Sequence, residues 1–434
     1  MPYLASDKIA VIDLATGSVE ELPLSEELLN SRIGGAAVAQ ALYAEHEEGD
    51  PLVLGAGLLT GTLLSGSSLG LISGKSPRTG ALAHAPLTLY AGLEIKYSGF
   101  DYIVIKGRSA EPVYLWVHDG IADIEPAAEI WNADVWTATQ EVRKAMGDEL
   151  IQTLVAGPAA VAGSPLGQVM INFWASGDRF GLGSALAAKN VKLVALRGMG
   201  LIEINDPEAY VAACVGLLGE LKSGGWAGKK GLMDLAAGLG EADFAAWLAP
   251  LAHRHRAGFN TPFAANTFVF LEGDPKELKE PAAPEPGVLL TDLDAPLSLM
   301  KLGLDAKEAC AIIRDCAKAG LDAAGLAELA AAGGVKDAAG VRGLMSAGDA
   351  PASGPAGPFS PCAPDKAAFA DFGQGGPEWW RRRMALAYVF GLDPVFALMS
   401  PQIDEAKLIE LAEVGAGLSI APATLEQVLS GLAG

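Results

Sequence analysis

Cysteine is scarce in this sequence, with four residues in 434, at positions 214, 310, 316 and 362. They form no C-x-x-C motif, so the sequence predicts neither a disulfide framework nor the short run of thiolates that usually holds an iron–sulfur cluster. A reducing compartment suits such a chain, and we expect a cytoplasmic location. Histidine is scarce too, and His253 and His255 alternate with Arg254 and Arg256, which favours a solvated basic patch over a metal site.

Positive charge is also in short supply, since 31 Lys and Arg face 52 Asp and Glu, giving a net charge of −21. Nucleic acids and anionic membrane surfaces would repel such a chain, so we expect no nucleic-acid partner. The longest uncharged stretch, residues 51–73, could span a bilayer by length. Its many glycine, serine and threonine residues favour buried strands and turns, so we expect no membrane span.

Hydrophobic residues are abundant, at 50% of the chain, and their spacing changes along it. Alternation predicts strands at 8–14 and 19–24, Ser25 is the predicted N-cap of a helical stretch through Leu42, and further short apolar runs suit strands. From about Asp206 the spacing becomes helical. The predicted class is α+β: a sheet-rich domain at 1–205, a helical domain at 206–346, a linker or loop at 347–365 and a C-terminal helical segment at 366–434.

Seven short motifs follow one another in the first half of the chain. They are IAVIDLATG at 9–17, RIGG at 32–35, GLLTGT at 57–62, GKSPRTG at 74–80, EIKYSGFDYIVIKGRSAEPVYL at 94–115, AGP at 156–158 and AAKNVKLVALRG at 187–198. In this order and spacing they resemble the aldehyde ferredoxin oxidoreductase family. That resemblance implies a domain built on two β-sheets, followed by mostly helical domains. It also implies a tungsten ion between two pterin dithiolenes, a four-cysteine iron–sulfur cluster, and oxidation of aldehydes with ferredoxin as electron acceptor.

The resemblance identifies one candidate cofactor loop, in which Arg179 stands where the family has an arginine near the pterin phosphate. Gly181 and Gly183 are retained, while Phe180 replaces a glycine. Lys189 and Asn190 follow as the family's Lys-Asn pair. The alternative is a tight turn kept for packing, with the Lys-Asn pair capping and orienting the entry of the next strand.

Other positions depart from the family pattern. Leu69 replaces a second cofactor-facing arginine, and residues 86–89 read PLTL in place of an Asn-Ser-Gly-Gly turn. Two GLD motifs keep Asp322 and Asp393, but Ala317 and Tyr388 replace the aspartate that would meet each pterin. The cluster motif is missing near residues 275–290. We expect the motif glycines to be helix C-caps in the left-handed conformation.

These departures favour a shortened, degenerate family member that is non-catalytic: a partner subunit, scaffold or maturation helper without catalytic residues, metal or cofactor. The residues at 179, 181, 183, 189, 190, 322 and 393 are then vestigial cofactor contacts. The alternative is an active oxidoreductase on aldehyde or oxo groups, with a rebuilt tungsto- or molybdopterin site, no iron–sulfur cluster of its own, and electron transfer through a partner.

A protein partner or a homo-oligomer is expected in the non-catalytic case. We expect the emptied junction between domains to collapse into a dry interface, filled by the larger residues at positions 69, 87, 89, 180 and 388. The segment WWRRRM at 379–384 is the candidate contact surface, because Trp and Arg often anchor interfaces. The alternative is that its tryptophans pack the last helices and its arginines pair with the chain's own acidic groups.

Overall fold

A computed structural model describes residues 3–223, 230–272, 286–346, 348, 351, 354–362 and 376–433. The strands are β1 (Lys8–Asp13), β2 (Ser18–Pro23), β3 (Leu52–Ala56), β4 (Gly70–Lys75), β5 (Leu82–Leu87), β6 (Tyr102–Lys106), β7 (Val113–His118), β8 (Ile121–Pro126), β9 (Gln152–Ala156), β10 (Val169–Ile171), β11 (Trp174–Ala175), β12 (Val191–Arg197), β13 (Ala252–Arg256), β14 (Asn266–Phe270) and β15 (Gly287–Leu290).

The helices are numbered in chain order. They are α1 (Glu26–Arg32), α2 (Gly35–Glu45), α3 (Ala91–Tyr97), α4 (Val135–Met146), α5 (Pro158–Val161), α6 (Leu182–Ala188), α7 (Pro207–Ser223), α8 (Leu232–Gly238), α9 (Ala242–Leu248), α10 (Asp294–Lys301), α11 (Ala306–Ala319), α12 (Ala323–Ala332), α13 (Ala338–Gly343), α14 (Pro377–Phe390), α15 (Pro394–Met399), α16 (Glu405–Ala416) and α17 (Pro422–Ala433).

Two six-stranded sheets form the N-terminal half. The first has the order β2-β1-β6-β3-β4-β5 and the second the order β11-β10-β9-β12-β7-β8. Each contains one parallel pair, β1 with β6 and β12 with β7, and its other pairs are antiparallel. Buried aliphatic side chains from both sheets, such as Ile12, Ile103, Leu115 and Val194, share one core. The predicted α+β class with an N-terminal double sheet is confirmed.

The strands and the helix start predicted near the N-terminus are confirmed. The predicted strands at 8–14 and 19–24 correspond to β1 and β2, and Ser25 is the N-cap of α1, where its side chain accepts a hydrogen bond from the Leu28 N–H at 3.1 Å. Gly34 and Gly35 separate α1 from α2. Local patterning was sufficient here because alternation and capping chemistry agree with the tertiary structure.

The prediction of a mostly helical region after residue 206 is confirmed, and the structure adds one small sheet that the sequence did not predict. The strands β13, β14 and β15 form an antiparallel sheet within that region. Strand β14 is buried and β15 is only four residues long. Such short apolar runs cannot be distinguished from pieces of a buried helix by periodicity.

Residues 354–362 lie against the first sheet. Phe359 is buried and stacks on His84, and the His84 N–H donates to the Pro358 carbonyl at 2.8 Å. The rest of the predicted linker at 347–365, apart from residues 348 and 351, falls outside the described residues. The domain boundaries at 205, 346 and 365 stay predictions.

Among the described residues, none of the helices combines the length and the apolar character that crossing a bilayer requires.

Candidate functional site

Arg179 lies at the junction of the second sheet with the helical region, in the loop between β11 and α6. Its Nε is 2.9 Å from Asp322, its Nη1 3.1 Å from Asp294 and its Nη2 2.5 Å from Glu328. The side chain is only 8% exposed. All three nitrogens of the guanidinium therefore point at carboxylates of α10, α12 and the α12 N-cap.

Arg78 is one of the site residues that the sequence analysis missed. It lies between β4 and β5, and its Nη1 donates to the Arg179 carbonyl at 2.8 Å and to Asp322 at 3.3 Å. Its Nη2 is 3.6 Å from Glu328, and its side chain is 1% exposed. The signal was present, because Arg78 is the arginine of the GKSPRTG motif, but that motif served only to establish the resemblance.

The glycine turn after Arg179 is fixed by packing. Gly181 has a φ of +79°, and a Cβ there would lie 2.4 Å from the Pro165 carbonyl oxygen. A Cβ on Gly183 would lie 2.4 Å from the backbone of Gln168. Asp178 is buried beside them and accepts the Phe180 N–H at 2.8 Å, while burial raises its pKa to about 6. These contacts are typical of a tight turn.

Lys189 and Asn190 lie at the other end of α6, away from this cluster. The Lys189 ammonium donates to the carbonyls of Asp50 and Gly107. Asn190 has a φ of +62° and donates from Nδ2 to the Ser109 carbonyl at 2.7 Å. Both residues fix the chain where α6 leads into β12, so the structure does not bring them together with Arg179.

The two GLD motifs occupy equivalent places on the two sheets. Gly320 ends α11 and Gly391 ends α14, both in the left-handed conformation, which confirms the predicted C-caps. A Cβ on Gly320 would lie 2.6 Å from Gly157 Cα, and one on Gly57 would lie 2.1 Å from the Gly391 nitrogen. Each helix end therefore contacts the loop that follows one central strand, β9 or β3.

The motif aspartates begin the helices that follow. Asp322 accepts the Ala324 N–H at 3.0 Å and Asp393 accepts the Phe396 N–H at 2.9 Å. Their own N–H groups donate to the carbonyls of Leu166 and Gly66, each at 2.8 Å. Asp322 also pairs with both arginines, whereas Asp393 lies in the wall of a nearby cavity.

Larger side chains fill most of the junction, as expected. Leu69, Leu87, Phe180 and Tyr388 are each at most 1% exposed, and Leu89 is partly buried. The collapse is incomplete, because two chambers of about 50 and 20 Å³ remain, and the dryness of the interface stays a prediction. Buried carboxylates that need hydrogen bonds keep part of the junction polar.

The larger chamber is amphipathic. Its walls include apolar side chains of α8 and α15 together with charged groups: Leu235, Leu239, Val395, Leu398, Arg179, Asp292, Asp294 and Asp393. Neither chamber has the size of a fused two-ring pterin, since both together hold only a few water-sized groups. The described residues at this junction therefore do not fit the family's pair of pterins.

The cysteine thiols lie apart and are protonated. Burial raises the pKa of Cys214 to about 11 and those of Cys310 and Cys362 to about 12, and it also raises the pKa of Cys316. In the part of the chain that the structure covers, no three His, Cys, Asp or Glu side chains are grouped to hold a metal ion. Most of the segment at 275–290, where the family's cluster motif is missing, lies outside the described residues.

The segment at 379–384 is largely occupied by contacts within the chain. Trp380 is buried and donates to the Pro361 carbonyl at 2.9 Å. Arg382 binds Glu405 at 2.6 Å and Glu426 at 2.9 Å. Arg383 is buried and donates to three carbonyls of the α15–α16 region. Of the two readings, these contacts favour packing over a partner surface.

Comparison with known proteins identifies the N-terminal domain. Residues 9–198 match the family model described as "Aldehyde ferredoxin oxidoreductase, N-terminal domain". Residues 9–198 thus form an N-terminal domain of the aldehyde ferredoxin oxidoreductase type. The matched range contains all seven motifs in full, so the resemblance drawn from the sequence is confirmed.

The similar proteins are longer than this chain. It is 30% identical over 212 residues to the tungsten-containing aldehyde ferredoxin oxidoreductase of Pyrococcus abyssi, covering 47% of this chain and 35% of that protein. It is 27% identical over 230 residues to the "Aliphatic sulfonate oxidoreductase, WOR-like subunit" of Pyrococcus furiosus, covering 48% and 36%. The alignments thus span about a third of each relative.

One solved structure shares the fold over nearly the whole chain. It is the "Active site complex BamBC of Benzoyl Coenzyme A reductase in complex with 1,5 Dienoyl-CoA", matched with a TM-score of 0.64 at 18% identity. The match covers 99% of this chain and 64% of that chain. The helical region after residue 206, which the family model does not reach, therefore has the same architecture.

Proposed function

We propose that this chain is a non-catalytic member of the family that acts as a partner subunit and keeps the sheet–helix junction without the tungstopterin. The observation that carries this proposal is the pairing of Arg179 with Asp294, Asp322 and Glu328. The residue that would bind a cofactor phosphate already has its charge compensated by the chain itself.

Electrostatics opposes a phosphate at this position. A phosphate near Arg179 would meet the three carboxylates and only one further guanidinium, that of Arg78. Like charges inside a partly buried site repel strongly because the effective dielectric constant is low. The ion pairs that Arg179 and Arg78 form with Asp294, Asp322 and Glu328 would have to separate first. Unpaired buried charges are costly.

Volume and donor chemistry support the same proposal. Tyr388 is fully buried, and its hydroxyl donates to the Ser360 carbonyl at 2.6 Å, so its ring is fixed in the place where the family has a pterin-binding aspartate. The four protonated, dispersed thiols are unsuited to holding an iron–sulfur cluster, which requires thiolates. We therefore propose that the chain binds neither cofactor.

The names of similar proteins support a protein partner for this chain. The names of two similar proteins describe a subunit and a two-component complex. We propose that this chain, too, works in an assembly, either with a different protein or with further copies of itself. The free thiols suit the cytoplasm as its location.

An activity assay tests the proposal. The chain, purified without oxygen, is mixed with short aliphatic and aromatic aldehydes and an oxidised viologen dye, with the Pyrococcus abyssi relative as positive control. We expect no aldehyde-dependent dye reduction. Reduction that saturates with aldehyde would overturn the proposal and favour a rebuilt tungsto- or molybdopterin site whose electrons leave through a partner.

A further inference from the structure

The two chambers of the junction cavity adjoin each other. Arg179, Thr291 and Asp292 lie in the walls of both. A water-sized group needs roughly 10–15 Å³ of such space. The smaller chamber, at about 20 Å³, therefore suits one group of that size, and the larger, at about 50 Å³, suits three or four.

The small chamber presents hydrogen-bond acceptors. Gln168 is 2% exposed and lies in its wall, and within the described residues its Oε1 has no hydrogen-bond partner. Its Nε2 donates to the Asp178 carbonyl at 2.8 Å, which fixes the orientation of the amide. A buried acceptor without a donor is costly, so this atom calls for a ligand or a water that donates.

The charges around the cavity favour a cation. Arg78 and Arg179 face four carboxylates, those of Asp292, Asp294, Asp322 and Glu328. Arg179 directs its Nε, Nη1 and Nη2 at the last three of these. Among the described residues Asp292 forms no ion pair and accepts the Ala295 N–H with its Oδ1 at 3.2 Å, so an excess of negative charge remains.

The large chamber suits a short hydrocarbon chain. Leu235 of α8 and its C-cap residue Leu239 line one part of it, and Val395 and Leu398 of α15 line another. Burying methylene groups there is favourable because it removes apolar surface from water.

We propose that this cavity binds a small primary alkylammonium ion of about three or four carbons, with its ammonium group at Gln168 and Asp292 and its alkyl chain among the leucines. The proposal rests on the proposed function, because the cavity is available only if no pterin occupies the junction. An ammonium group supplies the donors that Gln168 lacks and the charge that Asp292 requires.

The site is expected to depend on pH. Burial and the neighbouring Asp294 raise the pKa of Asp292 to about 6, and Asp322 raises it further while Arg179 lowers it. Below that pH Asp292 is protonated and no longer attracts a cation. Binding should therefore strengthen from pH 5 to pH 7.5.

Calorimetric titration tests the proposal with n-butylammonium chloride as the probe, and with 1-butanol and sodium butyrate as neutral and anionic counterparts. We expect saturable 1:1 binding of n-butylammonium only. Asp292→Asn and Gln168→Leu should each weaken it about tenfold. Asp337→Asn, which changes the N-cap of α13 in the same way, should leave it unchanged.

Equal binding of 1-butanol and n-butylammonium would overturn the proposal, as would no binding, or retention of affinity in Asp292→Asn. Folding of each variant is checked by its thermal transition, and Asp292→Asn keeps the acceptor for the Ala295 N–H. Metal and pterin content is measured on the same samples. A bound cofactor would overturn the proposed function. A cofactor-free protein that does not bind n-butylammonium would overturn this inference alone.

Discussion

At the scale of single residues, the account depends on Arg179 and its compensating carboxylates. The guanidinium is nearly buried, and its partners come from parts of the chain more than one hundred residues away in sequence. Such an arrangement fixes how the second sheet meets α10 and α12. It is costly to break, because removing one partner leaves the others as uncompensated charges.

Replacing Arg179 with methionine should therefore lower the free energy of unfolding by about 3 kcal/mol, as measured by urea denaturation at pH 7. Arg382→Met is the matched control. It removes the ion pairs with Glu405 and Glu426, whose side chains are 37% and 58% exposed, so we expect a loss of at most about 1 kcal/mol. Equal losses in the two variants would contradict the role assigned to Arg179.

Glu94 gives a second residue-scale prediction, in this case for pH. The side chain lies beside Arg197 and accepts the Gly198 N–H at 3.1 Å, and burial raises its pKa from 4.5 to about 7. The folded state then binds more protons than the unfolded state between these values, so stability that is present below pH 4.5 is lost as the pH rises through 7.

Glu94→Gln removes this loss. Relative to the wild type, its free energy of unfolding should increase by on the order of 2 kcal/mol between pH 4.5 and pH 8, measured by urea denaturation across that range. Glu21→Gln, at a side chain that is 51% exposed, should show no such trend. A parallel pH dependence of wild type and Glu94→Gln would show that the buried carboxyl is not responsible.

The sequence predicted part of the site. Arg179 and Asp322 were found through the family pattern, and the structure joins them at 2.9 Å. Asp294 and Glu328 were missed because nothing in their local sequence marks them. Their importance arises from the packing of α10 and α12 onto the arginine loop. Lys189 and Asn190 belong to a different motif from Arg179 and Asp322. Only the structure shows that they lie at the other end of α6.

At the scale of elements, the docking of helix ends on glycine loops organises the molecule. Gly391 at the end of α14 meets Gly57 after β3, and Gly320 at the end of α11 meets Gly157 after β9. The sequence predicted the C-caps, since a glycine that follows a helical run is a local signal. The pairing of each cap with a second glycine is a long-range feature that no local pattern contains.

Gly57→Ala should consequently destabilise the protein by more than about 2 kcal/mol in thermal or urea unfolding, because its Cβ would lie 2.1 Å from the backbone of Gly391. Gly219→Ala is the control within α7, where a Cβ meets nothing within 4 Å. There we expect a gain of up to about 1 kcal/mol from helix propensity. A stable Gly57→Ala would mean that the two loops separate easily.

At the scale of the whole molecule, the cores cross the predicted domain boundaries. One hydrophobic core joins Leu4, Val11 and Leu71 of the first half to Met384 and Leu408 of the C-terminal helices. A second joins Phe173 and Trp174 to the three-stranded sheet and to α11 and α12. The sheet domain thus buries much of its surface against the helical part.

Residues 1–205 expressed alone should therefore fail to form a stable domain, although the family model matches residues 9–198 as a unit. Exposed apolar faces of the first sheet would cause aggregation or binding of a hydrophobic dye. Size-exclusion chromatography and dye fluorescence check this expectation against the full chain. A monomeric fragment with a cooperative thermal transition would contradict it and support independent folding.

We propose that contacts between the chain's own residues occupy the junction in place of the family's cofactor. The most direct measurement is the content of tungsten, molybdenum, iron and pterin in protein purified without oxygen, from cells that load the Pyrococcus abyssi relative prepared in parallel. The account predicts a colourless protein with none of the four in stoichiometric amount. About one tungsten or molybdenum per chain, together with pterin, would contradict it.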